Sequence, residues 1–223
     1  MLRALSTPEI AAIYLDAQQR IDALVRDLDD AQLAASVAAC PGWAVGDVVR
    51  HLAATVAWAA EGRLQGLPTD EDTATQVAEL ADVPVDEVLD RWAEGAPEFA
   101  QLLADAAIWP GAIDVVTHEH DIRQAVGRPG ARDVDGVRVL ATLLLRWWSP
   151  SWPVEVATEG QVVRVGSAHG EAIRWRTDDF EVLRARLGRR SRAQLAQLDW
   201  SADPGPLLDE LTVFPPAASD IVE

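Results

Sequence analysis

The apolar residues of this chain change period once, at Pro153, and that change limits the folds open to it. Up to about residue 150 they recur at spacings of three and four, the repeat of an amphipathic helix. Beyond Pro153 they alternate, as strands with one buried face require. Ile10, Ile13, Ala17, Ile21, Leu24 and Leu28 form the first helical stripe. It follows Ser6-Thr-Pro-Glu9, where a hydroxyl cap, a first-turn proline and an acid near the positive dipole end mark a helix start. Further helices are predicted over residues 45–61, from 85 onward with a kink or break at Gly95-Ala-Pro97, from about 110 to Gly127, and over 137–148. The acidic Thr69-Asp-Glu-Asp72 segment reads as a solvated loop. Strands are expected over 154–158, 161–165 and 172–176, with Glu159-Gly160 as a hairpin turn. Asp178-Asp-Phe-Glu181 and Ser191-Arg-Ala-Gln194 fit capping boxes of two short helices, and Asp203-Pro204 opens a third. The expected architecture is an α bundle of four or five helices over residues 1–150, followed by a small α+β domain over 151–223.

Within the bundle, Asp114 and His118 stand one helical turn apart in Ile113-Asp-Val-Val-Thr-His-Glu-His-Asp-Ile122. Residues at i and i+4 share a helix face, so a carboxylate and an imidazole point the same way. His51, on an earlier helix, offers a third ligand. Two histidines and a carboxylate leave one position open for water or a substrate atom, as catalytic zinc sites do. A structural ion would call for four protein ligands, and only three candidates stand out.

Composition removes other chemistries. All 19 basic residues are arginine, so Schiff-base catalysis, pyridoxal-phosphate attachment and a P-loop lysine are excluded. The formal charge of −17 at pH 7 argues against nucleic-acid binding and against an anionic membrane surface. No apolar run reaches the roughly 18 residues of a bilayer span, and the first residues lack the apolar core of a signal peptide. The single Cys40 allows no internal disulfide. These features lead to the expectation of a cytoplasmic protein. The oligomeric state has no signature in the sequence.

Cys40-Pro-Gly-Trp-Ala-Val-Gly-Asp-Val-Val-Arg-His-Leu-Ala53 closely resembles a signature of the mycothiol-dependent maleylpyruvate isomerase family, a branch of the DinB-like metal-binding bundles. Asp114-Val-Val-Thr-His118 followed by Asp121-Ile122 resembles the second signature, and Leu187-Gly-Arg-Arg190 with the Trp200-to-Pro204 run resembles the tail. The resemblance implies a DinB-like bundle with a small C-terminal domain. It implies a divalent metal, zinc, on His51, Asp114 and His118, and mycothiol as a low-molecular-weight thiol cosubstrate. Asp114 stands where the family usually has a glutamate, one methylene longer. The resemblance also implies an active-site arginine from the second domain, matched by Arg189, whose planar fork would suit a carboxylate-bearing substrate. On this reading the open metal position meets the second domain.

Other residues carry blander expectations. His120 lies about 200° round the helix from His118, which suits a solvated or outer position. Glu119 and Asp121 read as surface charges, with Asp121 also able to orient a ligand histidine. Cys40 reads as a small buried hydrophobe, His169 as an incidental loop residue, and Trp147, Trp148 and Trp152 as packing. The function expected is a zinc-dependent, mycothiol-using isomerase or thiol transferase acting on a small electrophilic substrate. Metal-assisted hydrolysis by bound water, and a non-catalytic metal-binding stress or interaction protein, stay open beside it.

Overall fold

The computed structural model describes residues 6–223, and these divide into two compact units, Ser6–Gly130 and Ala131–Glu223. The first is helical throughout: α1 (Thr7–Val25), α2 (Asp30–Leu33), α3 (Val45–Ala60), α4 (Asp70–Glu79), α5 (Val85–Asp105) and α6 (Trp109–Ala125). No described helix is long and apolar enough to cross a membrane.

The predicted stripe of α1 is its buried face, with Ile10, Ile13, Ala17 and Ile21 joined by Tyr14 and Val25. It packs between α5 and α6. Contacts along the helices fix their directions. Arg20 binds Glu119 and Arg128 binds Asp27, so α1 and α6 run parallel. Trp92 meets Tyr14 while Arg26 meets Asp90 and Phe99 packs edge-on to Tyr14, so α1 and α5 run antiparallel.

Two local expectations change. The acidic segment after Thr69 is helix α4, started by a reciprocal cap: Thr69 Oγ1 accepts from the Asp72 N–H while the Asp72 carboxylate accepts from the Thr69 N–H. Helix α5 runs unbroken through Pro97. An interior proline costs roughly 3 kcal/mol, but apolar side chains on both sides hold the two halves in place. Val88, Leu89 and Trp92 precede it, Phe99 and Leu103 follow, and all are buried. Burying a Leu or Phe side chain contributes about 1.5–3 kcal/mol apiece, so the anchoring outweighs the break. Gly95 serves a different purpose, since a Cβ there would lie 2.7 Å from Val56 Cγ1. Its bare backbone lets α5 press against α3.

The second unit contains α7 (Asp135–Arg146), β1 (Val154–Ala157), β2 (Val162–Val165), β3 (Ile173–Arg176), α8 (Asp179–Arg186), α9 (Arg192–Ala196), β4 (Asp199–Trp200) and a 3-10 turn at Gly205–Leu207. The sheet order is β2-β1-β3-β4. A hairpin pairs β1 with β2, Val154 opposite Val165, and β3 then lies parallel to β1 on its other edge. The alternation behind the strand expectation is plain in β2, where Val163 and Val165 are buried and Val162 and Arg164 exposed. Val154, Val156, Val163, Val165 and Trp175 share one apolar cluster with Ala141 and Leu145 of α7 and Val182 and Ala185 of α8. Helix α7 therefore belongs with the sheet, and the units divide at Gly130, ahead of the division expected near residue 150. Its apolar stripe signalled a helix but carried no information about which partner it would cover.

Gly95→Leu should lower stability by about 1–3 kcal/mol, the usual cost of overpacking. Urea unfolding would measure this. An unchanged midpoint would show that α5 and α3 are not in close contact there.

Candidate metal centre

Helix α6 is buried on nearly every side. Ala112, Ile113, Val115, Val116 and Ile122 are enclosed, and so are Thr117, His118, Glu119, His120 and Asp121. Asp114 and His118 project together as their spacing requires, and α3 brings His51 to them. His51 Nε2 lies 3.4 Å from Asp114 Oδ2, and His118 Nε2 lies 3.4 Å from Asp114 Oδ1. The two imidazole rings meet edge to face with centroids 5.5 Å apart. One ligand atom from each of the three residues lies within 4.8 Å of the others. The three residues singled out in the sequence thus share one place.

What surrounds the rings decides which nitrogen faces inward. His51 Nδ1 is 2.8 Å from Gln76 Oε1, and His118 Nδ1 is 3.1 Å from Asp121 Oδ2. Both partners are acceptors, so each Nδ1 carries the hydrogen and each Nε2 turns toward Asp114. Such an outer acceptor is the usual companion of a metal-binding histidine, because it fixes the tautomer and makes the ligand more basic. The donor set, two imidazole nitrogens and a carboxylate, suits a divalent ion of the zinc kind. His51 and His118 are buried, whereas Asp114 keeps 36 % of its side chain exposed. The Trp43 ring, delivered by the Pro41-Gly42 turn, lies 5.3 Å from that of His51.

The charges respond to one another. Burial pushes the Asp114 carboxyl upward, but His118 and His51 outweigh it and hold the group well below the usual carboxylate range. Burial pushes the His118 imidazole downward, and Asp114 and Asp121 outweigh that and raise it well above its ordinary value. A proton on His118 Nε2 and a metal ion are alternatives at the same lone pair.

Several blander expectations are corrected here. Glu119 is no surface charge. It is fully buried, gripped through two nitrogens by Arg20 and held by Arg123. Asp121 is equally buried and orients His118, the second of the roles foreseen for it. His120 is buried, not solvated. Cys40 is half-buried, its sulfur 3.9 Å from His118 Nδ1 and 4.0 Å from an Asp121 oxygen. The expectation of a small buried hydrophobe had no view of these neighbours, which stand 78 and 81 residues along the chain. Gln76 escaped notice because its helix was read as loop. The Thr69–Asp72 cap was the signal that could have revealed it.

His169 lies in an exposed loop, as expected. In the second unit, Gly188 turns the chain with φ +77°, where a Cβ would lie 2.5 Å from the Pro215 carbonyl oxygen. Arg189 follows it, half-buried, donating from Nη1 to the Leu187 carbonyl at 2.7 Å with its guanidinium over the Phe214 ring. Arg190 is buried and grips both oxygens of Glu181. Trp148 is buried as packing, while Trp147 and Trp152 stay about half exposed.

Residues 14–132 match the family model described as the mycothiol maleylpyruvate isomerase N-terminal domain. The chain belongs to this family. The matched span holds all three residues of the cluster and the Gln76 and Asp121 that contact them. Two solved structures share the fold: the mycothiol-dependent maleylpyruvate isomerase, at 15 % identity, and a histidine-to-alanine mutant of it, at 14 %. Each gives a TM-score of 0.57 and covers 83 % of this chain and 90 % of the other. No curated protein matches.

The cluster should bind about one divalent ion per chain, measured by elemental analysis after equilibrium dialysis. His51→Ala should abolish tight binding and His169→Ala should leave it intact. Gln76→Leu should weaken it about 10- to 100-fold, the cost of losing an outer partner. Binding that survives His51→Ala would remove the cluster from consideration.

Proposed function

We propose that this chain is a metal-dependent enzyme that uses mycothiol to isomerise, or to transfer the thiol onto, a small electrophilic substrate bearing a carboxylate. The convergence of two oriented Nε2 atoms on one partly exposed carboxylate carries the reading, and membership in the family supports the thiol. His51, Asp114 and His118 would hold the ion, which we take to be zinc. When bound, it would supply the Lewis acidity that deprotonates a thiol whose ordinary pKa is about 8.5.

The chain's own residues have definite parts in this reading. Gln76 and Asp121 keep both imidazoles turned inward and block rotation of the rings. Three protein ligands leave room for one exogenous donor. The Asp114 side of the cluster is its exposed side, so that donor would enter there. The thiolate sulfur adds to one carbon of an activated double bond, and the other carbon takes a proton. Rotation about the resulting single bond, loss of that proton and departure of the thiolate give the geometric isomer. Retention of the thiol gives the transfer product. Arg189, the arginine matched by the family resemblance, is the candidate for a substrate carboxylate, since a guanidinium fork meets such a group at two points.

Maleylpyruvate and mycothiol serve as probe substrates for the zinc-loaded protein. Conversion followed by absorbance should require both thiol and ion and vanish in His51→Ala. Arg189→Ala should impair turnover with metal content unchanged, and Arg189→Lys should restore it only in part. Turnover of an ester or amide without thiol would replace this reading with hydrolysis by metal-bound water.

A further inference from the structure

Between α1 and α5 lies a groove of about 420 Å³, walled by Leu15, Gln18 and Asp22 on one side and by Ala93, Ala96 and Pro97 on the other. None of His51, Asp114 and His118 lines it. Gln18 and Asp22 stand about 200° round α1 from Arg20, whose side chain meets Glu119. The groove therefore opens on the side of α1 turned away from α6.

Two polar groups at this groove miss their ordinary partners. Gln18 is only 4 % exposed, yet among the described residues its amide takes part in no hydrogen bond. A buried amide normally finds partners for its oxygen and its NH2. The Ala93 carbonyl is the other. Pro97 carries no N–H, so the unbroken α5 gives this carbonyl no donor at i+4. Natural chains break such local rules mainly at functional places, and both breaks lie on the walls of one groove. The surrounding charges fix the sign of an occupant. Arg26, also on the wall, is held by Asp22 at 2.9 Å and Asp90 at 2.7 Å, with Asp86 at 3.9 Å. Three carboxylates around one guanidinium leave the rim net negative.

We propose that this groove binds a small aliphatic ammonium ligand. Its N–H groups bond to the Gln18 side-chain oxygen and the Ala93 carbonyl, its charge faces Asp22, and its hydrocarbon part lies on Leu15, Ala96 and Pro97. An ammonium carries donors and no acceptor, which matches two carbonyl oxygens left open beside a carboxylate. An anion of the same size would meet the negative rim and be repelled. Pro97 thereby gains a part in binding, because an alanine in its place would supply an N–H and take up the Ala93 oxygen. The site is independent of the metal reading given above.

The test titrates wild type, Gln18→Leu and Pro97→Ala with n-butylammonium, with butyrate and butanol as anionic and neutral probes of similar size, and follows side-chain amide signals by NMR. Wild type should bind butylammonium in the millimolar range expected of so small a ligand, with the Gln18 amide pair shifting to saturation, and should not respond to butyrate. Gln18→Leu should weaken binding about tenfold, the size of one hydrogen bond to a charged group, and Pro97→Ala should weaken it several-fold. Neither variant changes the net charge. Both should keep or raise the melting temperature, since one removes a buried amide without partners and the other restores a helical hydrogen bond. Loss of binding together with gain of stability is a pattern that a purely structural role does not produce. Unchanged affinity in both variants would overturn the proposal, because the amine would then be attracted only by the acidic surface. Equal or stronger binding of butyrate or butanol at Gln18 would overturn the assigned ligand class. Either result leaves the metal centre standing.

Discussion

Helix α6 carries Asp114, His118, Glu119, His120 and Asp121 through the interior of the helical unit, and a buried charge costs several kcal/mol unless a partner answers it. The rest of that unit is arranged around meeting this cost. α1 supplies Arg20 to Glu119, and α6 folds its own Arg123 back onto the same carboxylate. α3 supplies His51 to Asp114, and α4 supplies Gln76 to His51. Removing one member of such a set leaves its partner charged and dry, which explains why charged and polar residues from so many helices meet along a single one.

The same arrangement separates two kinds of polar residue that look alike in sequence. Glu119 is neutralised on two sides by arginines, which ties the helices together and leaves the carboxylate no further valence. Asp114 meets the imidazoles of His51 and His118 and retains solvent exposure. A group held by strong permanent cations is structural. One held by imidazoles, which exchange protons near neutral pH, fits the proposed metal site.

The helices before Pro153 and the strands after it could be read from periodicity, because each element buries one face. The grouping of His51, Asp114 and His118 could be read because Asp114 and His118 share a turn and the Cys40–Ala53 segment has a recognisable pattern. What escaped depends on tertiary partners. A run as polar as Thr117–Asp121 resembles a solvated one unless Arg20 is known to lie against it. Gly95-Ala-Pro97 looked like a kink or a break, and the break is absent because propensity is local while the anchoring of α5 is not. The apolar face of α7 announces burial without naming the surface it meets, and Cys40 gains its neighbours only when the bundle closes.

The parallel course of α1 and α6 has a consequence for how the unit forms. Neighbouring antiparallel helices can zip from a short turn, but Arg20 and Glu119 are 99 residues apart in the chain. Their meeting closes a long loop, whose entropic cost is met before the contact yields any return. Until then the carboxylates of α6 remain in water, where they are comfortable, and the helix has no reason to enter the core. Burial of Glu119 and docking of α1 are therefore tied to the same long-range contact. The two ends of the helical unit are thus joined through the one helix that also carries Asp114 and His118.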